Sequence, residues 1–130
     1  MRTFKTSWWS VKFPDGWSAE RDDDCTTITA APEVGSLQIS AARNDNGPVT
    51  DEDLLEFAED HVKAGAKLRE VTLGMLSGFY LHYSDDEFYS REWWLRSGNT
   101  VVLATYTNEL EYRGQEDSAI DQILATLEVA

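Results

Sequence analysis

The stretch REWWLRSGNTVVLATYT, residues 91–107, contains two adjacent tryptophans and, four residues later, a Gly-Asn pair. Apolar and β-branched residues surround the Gly-Asn pair, a pattern typical of two strands joined by a two-residue turn. Such a turn fixes the register, so that Ser97 lies opposite Thr100 and Arg91 lies opposite Tyr106. The sequence therefore predicts an antiparallel hairpin with a defined set of side chains on each face.

The predicted hairpin carries one tryptophan on each face, because neighbouring side chains of a strand point in opposite directions. The first face holds Arg91, Trp93, Leu95, Val102, Ala104 and Tyr106. The second face holds Glu92, Trp94, Arg96, Val101, Leu103 and Thr105. Both faces are apolar near the turn, which favours a sheet that is covered on both sides. Since burial of a tryptophan stabilises a fold by about 2–3 kcal/mol, we expect both indole rings to be covered.

The rest of the chain changes between the two-residue period of strands and the helical period. Further strands are predicted at residues 9–13, 17–20, 25–30, 37–41, 68–73 and 79–84. A first helix follows Thr50, a good N-cap, with the apolar positions Leu54, Leu55, Ala58, His61 and Val62. A terminal helix has an apolar stripe of Ala119, Ile120, Ile123, Leu124 and Leu127. We predict a single α+β domain over residues 1–130, with a central antiparallel β-sheet and helices on both faces.

The charge of the chain limits its partners. With 24 acidic and 11 basic residues, the formal net charge is −13, which repels nucleic acids and anionic membranes. We expect neither as a partner. A basic protein is compatible with this charge, although acidity that serves only solubility is the simpler explanation.

The single cysteine, Cys25, permits no internal disulfide bond, and its β-branched neighbours favour a buried, unreactive thiol. The opening residues, MRTFKTSWWS, contain no long apolar run. We therefore expect no signal peptide or membrane anchor, and a cytoplasmic protein that is a monomer or a weak dimer.

One cluster has the composition of a recognition surface. A two-residue loop at Asp85 and Asp86 would bring the preceding strand against the Trp93 face of the hairpin. The candidate partner- or ligand-binding residues are then Tyr80, His82, Tyr89, Arg91 and Tyr106. Tyr and Arg are enriched at binding hot spots, and Arg stacks on aromatic rings. A set of cross-strand pairs that shields the edge of a core is the simpler explanation of the cluster, and a one-residue error in the loop would dissolve it.

Catalytic chemistry is not evident in the sequence. His61 lies on the apolar stripe of the first helix, where a hydrogen-bonded core histidine is expected, and His82 has no second histidine near it. Neither has metal-ligand spacing with Cys25. An Asp-x-Asp-x-Thr pattern, residues 22–26, follows a strand too polar for a phosphotransfer loop. The acidic clusters occupy turns and helix starts, where solvation and the helix dipole explain them. We predict no enzyme, no cofactor and no metal site.

The segment SWWSVKFPDGW, residues 7–17, resembles the opening strand, turn and return of the PsbP-like sandwich superfamily. The strand at residues 37–41, the helix after Thr50, the tryptophan hairpin and the terminal ILATL segment also fit it. The superfamily includes a photosystem oxygen-evolving subunit and a Ran-GTPase-binding import factor, and the resemblance is to an uncharacterised bacterial branch. It implies an antiparallel sheet between helices, and roles in binding or assembly.

Three functions are consistent with these observations. The first is a non-enzymatic protein-binding or adaptor domain, including an immunity-type inhibitor of a basic toxin, since opposite charge speeds association. The second is a small-ligand module or an unrecognised enzyme that uses His82 and Arg91. The third is a structural part of an assembly, with exposed Trp8 and Trp17 as contact residues.

Overall fold

The computed structural model describes residues 1–23, 25–65 and 67–129. Asp24 of the predicted acidic turn and the side chain of Val62 lie outside the described part. The strands are β1 (Arg2–Lys5), β2 (Trp9–Phe13), β3 (Trp17–Asp22), β4 (Cys25–Ala30), β5 (Gly35–Arg43), β6 (Arg69–Leu73), β7 (Leu76–Ser84), β8 (Phe88–Ser97), β9 (Thr100–Glu109) and β10 (Glu128–Val129). The helices are α1 (Asp51–Phe57), α2 (Glu59–Lys63) and α3 (Asp117–Leu124), and a 3₁₀ turn spans Leu110–Tyr112.

The main sheet has seven antiparallel strands in the order β3-β4-β5-β9-β8-β7-β6. This confirms the predicted α+β class and the antiparallel sheet. Neighbouring strands are consecutive in sequence except for β5 and β9, which pair over nine residues of each strand. The tryptophan hairpin has the predicted register, with Ser97 opposite Thr100 and Arg91 opposite Tyr106. Gly98 makes the turn with a φ of 55°, which favours glycine.

A second, smaller sheet was not predicted. It has the order β1-β2-β10 and joins the two ends of the chain. The predicted return strand beginning at Trp17 exists, but it pairs with β4 of the main sheet and not with β2. Trp9 and Trp17 are 4% and 8% exposed and share one core. The chain therefore passes from the small sheet to the main sheet at the turn between β2 and β3. The apolar side chains of these two strands pack together in the core.

The Trp93 face of the main sheet is the centre of the core. Trp93 is 4% exposed, and it packs in a cluster with residues of β2 and α3. The predicted stripe of the terminal helix is confirmed for Ile120, Ile123, Leu124 and Leu127, all of which are buried. The small sheet and α3 thus supply apolar side chains to this core.

The Trp94 face receives side chains from α1 and α2. Thr50 begins α1 with a capping box, in which its side chain and that of Asp53 each accept a backbone N–H. The ring of Phe57 stacks on that of Trp94, with centroids 6.2 Å apart. Trp94 is half-buried, so the expected cover is complete for Trp93 and partial for Trp94. The predicted single helix is divided at Ala58, whose carbonyl accepts the N–H of His61 in a tightened turn.

The turn between β7 and β8 differs from the prediction by one residue. Asp85 is the last residue before it, because its Oδ1 accepts the backbone N–H groups of Glu87 and Phe88, each at 2.8 Å. The two-residue turn is therefore at residues 86 and 87. The pairing of β7 with β8 shifts by two residues, so that His82 lies opposite Arg91. A shift of two residues leaves every side chain on its predicted face, so the expectation that a one-residue error in the loop would dissolve the cluster is wrong.

Candidate functional site

Arg91 is the centre of the candidate cluster and is 6% exposed. Its Nε donates to the hydroxyl of Tyr80 at 2.9 Å, and its Nη2 donates to Oδ1 of Asp121 at 2.7 Å. Its Nη1 donates to the backbone carbonyl of Asp117 at 3.4 Å. The guanidinium carbon lies 4.6 Å from the ring centroid of Trp93. The hydrogen-bond donors of Arg91 are therefore already bound to groups of α3 and to Tyr80.

Two candidate tyrosines also bind the start of α3. Tyr89 donates to Oδ2 of Asp117 at 3.1 Å, and Tyr106 donates to Oε1 of Glu116 at 2.7 Å. Tyr106 also accepts the side-chain amide of Asn108 at 3.1 Å. Burial, together with the nearby carboxylate, raises the pKa of both tyrosines above the ordinary value. Both hydroxyls are thus held as neutral donors to α3.

The five candidate residues share one face of the sheet, as predicted, but they differ in exposure. Tyr89, Arg91 and Tyr106 are buried beneath α3. Tyr80 is half-buried and His82 is exposed, and their ring centroids are 6.0 Å apart. The buried three form a cross-strand cluster that shields the core, which leaves Tyr80 and His82 as the accessible part.

A cleft of about 330 Å³ opens beside this cluster. Tyr80, Arg91 and Trp93 line it together with Asp121 and residues of β6. Because the donors of Arg91 are directed at Tyr80 and at α3, a ligand held jointly by Arg91 and His82 would have to displace the Asp121 carboxylate.

On the opposite face, Glu92 joins β8 to α2. Glu92 is 6% exposed, accepts the Tyr83 hydroxyl at 2.7 Å and lies 3.3 Å from Nε2 of His61. Burial and the Glu92 carboxylate raise the pKa of Tyr83. The rings of His61 and Tyr83 stack with centroids 5.4 Å apart. His61 is thus packed against Tyr83 and lies close to Glu92, but it is half-buried and not the core histidine that the sequence predicts.

Two further concave surfaces were missed by the sequence analysis. A cleft of about 690 Å³ is lined by His61, Ala64, Gly65, Lys67, Arg69, His82 and Tyr83. A groove of about 590 Å³ is lined by Asp86, Glu87, Phe88, Glu109, Leu110 and Glu111. The sequence signals were the closely spaced Lys67 and Arg69, and the pairing of Phe88 with a Glu-Leu-Glu segment at the far end of the hairpin. The pairing of Phe88 with Glu109 follows from the register of the tryptophan hairpin, so this signal was available in the sequence. The cleft at Lys67 and Arg69 was not, because no sequence pattern places α2 beside β7.

The remaining candidate residues, Trp17, Trp8 and Cys25, are buried or half-buried within the fold. Trp17 is 8% exposed, so it is not the exposed contact residue that the assembly hypothesis requires; its indole packs between the two sheets. Trp8 is half-buried, and the guanidinium carbon of Arg43 lies 4.7 Å from its ring centroid. Cys25 is half-buried, and burial raises the pKa of its thiol, which favours the unreactive form.

None of the His, Cys, Asp and Glu side chains of the described residues form a group of three or more that could hold a metal ion. Among the helices formed by residues 1–23, 25–65 and 67–129, none has the length and apolar character needed to cross a membrane.

Comparison with solved structures shows the fold. A protein from Bacteroides thetaiotaomicron VPI-5482 superposes with a TM-score of 0.72 at 18% identity, over 98% of this chain and 48% of that one. LpqN, a protein involved in cell envelope biogenesis of Mycobacterium tuberculosis, superposes with a TM-score of 0.62 at 16% identity, over 94% of this chain and 83% of LpqN. The chain shares the fold of these two proteins. It spans about half the length of the Bacteroides protein, 48%.

The structural matches also include cyanobacterial PsbP from Synechocystis sp. PCC 6803. It has a TM-score of 0.47 at 11% identity, over 99% of this chain and 92% of PsbP. No protein-family model and no curated protein matches the sequence.

Proposed function

We propose that the chain is a non-enzymatic domain that binds a basic protein in the groove around Phe88. The observation that supports this most directly is the composition of the groove. Phe88 is 44% exposed, and with Leu110 it forms an apolar centre. Four acidic residues surround that centre: Asp86, Glu87, Glu109 and Glu111. An apolar anchor inside a charged rim is the usual anatomy of a protein-binding hot spot.

The backbone of this groove is held in place on both sides. The N–H of Leu110 donates to the carbonyl of Glu87 at 2.9 Å, and the N–H of Asp85 donates to the carbonyl of Phe88 at 3.0 Å. Phe88 also pairs with Glu109 at the end of the hairpin. A surface that is already ordered loses less entropy on binding, so this groove suits a partner of matching shape and opposite charge.

The net charge of −13 supports a basic partner. Long-range attraction between opposite charges raises the association rate, and that gain falls as salt screens the charges. A basic toxin that the domain inhibits is one partner of this kind, because an inhibitor gains from fast association.

We also propose that helices cover both faces of the main sheet, as in a sandwich. Two contacts support this arrangement. The Phe57 ring at the end of α1 stacks on Trp94, and Asp121 of α3 binds Arg91 on the Trp93 face. Removing the Phe57 ring should make Trp94 more accessible to a fluorescence quencher, whereas unchanged quenching in Phe57→Ala would count against α1 as a cover.

Affinity capture followed by calorimetry tests the binding function. The immobilised chain is exposed to lysate of its source cell at low and high salt, and the captured protein is purified and titrated. We expect a basic protein whose affinity falls steeply with salt. Phe88→Ala should weaken binding about tenfold or more, as for a hot-spot residue.

Matched variants separate the groove from general surface effects. Met75 is 60% exposed and apolar and does not line the groove, so Met75→Ala should bind like the wild type. Glu109→Gln with Glu111→Gln should weaken binding more than Glu52→Gln with Glu56→Gln, which remove the same charge from α1. Equal effects of Phe88→Ala and Met75→Ala, or a captured partner without basic charge, would refute the proposal.

A further inference from the structure

The cleft between α2 and β7 carries charge opposite to that of the protein. It has a volume of about 690 Å³, and its lining includes both histidines of the chain, His61 and His82, together with Lys67 and Arg69. Among the described residues that line it, none is acidic, although acidic residues outnumber basic ones 24 to 11 in the sequence. Two permanent cations and no described carboxylate thus line this cleft.

The two permanent cations of this cleft are available to a ligand. In the described structure, Lys63 and Arg96 lie 2.8 Å and 2.7 Å from carboxylate oxygens, and Arg91 lies 2.7 Å from Asp121. Lys67 and Arg69, by contrast, are in no ion pair with any described residue, and both are exposed. Their charges are therefore not satisfied within the part of the chain that the structure describes.

Among the described residues, the carboxylates of Glu92 and Glu70 form no ion pair with Lys67 or Arg69. Glu92 is buried, and its two oxygens face His61 and Tyr83. Glu70 follows Arg69 in β6, so the two side chains leave the strand on opposite faces, and Glu70 does not line the cleft. Glu92 instead fixes the aromatic wall of the cleft, where the rings of His61 and Tyr83 stack at 5.4 Å.

We propose that this cleft binds a small organic anion with at least two negative charges, such as a phosphate ester or a polycarboxylate. Lys67 and Arg69 supply permanent positive charge, and His82 adds a hydrogen-bond donor. The arginine fork binds phosphate and carboxylate groups in the same bidentate way. Because the cleft is larger than one such group, the body of the ligand packs against Tyr83. This site is independent of the proposed protein-binding groove, which has other residues and the opposite charge.

Titration with two simple probes tests the site. Pyrophosphate and citrate are titrated separately into the full chain, with binding followed by calorimetry and by amide chemical shifts. We expect one saturable site, with the largest shifts at Lys67, Arg69, His82 and Tyr83. Binding of pyrophosphate alone assigns the site to phosphate esters, and binding of citrate alone assigns it to polycarboxylates. Binding of both supports a general site for multivalent anions.

A charge-matched pair of variants distinguishes the cleft from the overall charge. Lys67→Gln with Arg69→Gln should weaken binding at least tenfold. Lys12→Gln with Arg113→Gln removes the same charge at exposed positions outside the cleft and should change affinity less than twofold. Amide spectra confirm that both variants are folded. Failure of both probes to saturate, or equal losses in the two variants, overturns the proposal.

Discussion

The Nη2 atom of Arg91 and the Oδ1 atom of Asp121 are 2.7 Å apart, although the residues are 30 positions apart in the chain. Asp117 adds a second carboxylate oxygen, 3.7 Å from Nη1 of the same arginine. These contacts connect α3 with β8 directly over Trp93. The docking of α3 therefore depends on a charged contact in addition to its apolar stripe.

Loss of Arg91 should destabilise the protein more than loss of an exposed arginine. Arg91→Ala removes an ion pair whose arginine side chain is 7% exposed and also removes packing on Trp93. We expect the free energy of unfolding to fall by about 2–3 kcal/mol. Urea denaturation measures this change.

Arg96→Ala is the control, because Arg96 and its partner Asp51 are 32% and 52% exposed. An exposed pair contributes less than about 1 kcal/mol. Equal losses in the two variants would mean that Arg91 does not anchor α3.

The hydroxyl of Tyr106 should stabilise the fold through two buried partners. Tyr106→Phe leaves the buried Glu116 carboxylate without its 2.7 Å donor and removes one acceptor of Asn108. We expect a loss of about 1–2 kcal/mol in the free energy of unfolding. Tyr112 is 39% exposed, so Tyr112→Phe should change stability by less than about 0.5 kcal/mol; a similar loss in both variants would contradict this role of Glu116.

Alkaline pH should destabilise the protein through Tyr89 and Tyr106. Both have pKa values raised by burial, whereas tyrosines of the unfolded chain ionise at about pH 10. Below that pH both states keep their protons and the stability is fully present. Above it the unfolded state loses protons that the folded state retains, so the free energy of unfolding falls by up to about 1.4 kcal/mol per pH unit for each tyrosine.

Denaturation at several pH values measures this effect. Between about pH 9 and about pH 11, Tyr89→Phe with Tyr106→Phe should lose less stability than the wild type. Parallel curves for the two proteins would show that these hydroxyls do not resist ionisation in the folded state.

The register of the tryptophan hairpin could be predicted because local chemistry determines it. A Gly-Asn turn allows few alternatives, and Gly98 has the expected positive φ. The turn at Asp85 was less predictable, since two adjacent aspartates can each precede a turn, and the backbone bonds to Oδ1 of Asp85 decide between them. The predicted faces remained correct only because the error shifted the register by an even number of residues.

The cover over the candidate cluster could not be predicted in the same way. Glu116, Asp117 and Asp121 look like ordinary acids of a helix start, for which the dipole is sufficient explanation. Nothing near them in sequence indicates that they bind Arg91 and Tyr106 on strands. The small sheet was missed for a related reason, because β10 has two residues and its partner β2 is at the opposite end of the chain.

Gly78 should not tolerate a side chain. It pairs with Leu95 of β8, and an added Cβ would collide with the backbone carbonyl of Trp94 and lie 3.0 Å from Cα of Leu95. Because both obstacles are backbone atoms, β7 and β8 would have to separate. We expect Gly78→Ala to lower the free energy of unfolding by about 3 kcal/mol, measured by thermal or urea denaturation.

The neighbouring residue provides the control for this variant. Ser77 is half-buried on the same strand, and Ser77→Ala removes atoms instead of adding them. Its effect should stay within about 1 kcal/mol. A Gly78→Ala protein as stable as the Ser77→Ala protein would show that the two strands can move apart without cost.

The pairing of β5 with β9 has a consequence for how the chain is made in the cell. Every other pair of neighbouring strands in the main sheet is consecutive in sequence, so these strands can pair soon after they are translated. Strand β5 can pair with β9 only after β9, the last strand of that sheet, has left the ribosome. During this delay β5 presents open peptide groups along one side, and such an edge recruits strands from other chains. We therefore expect the nascent protein to be prone to aggregation in the interval between the synthesis of these two strands.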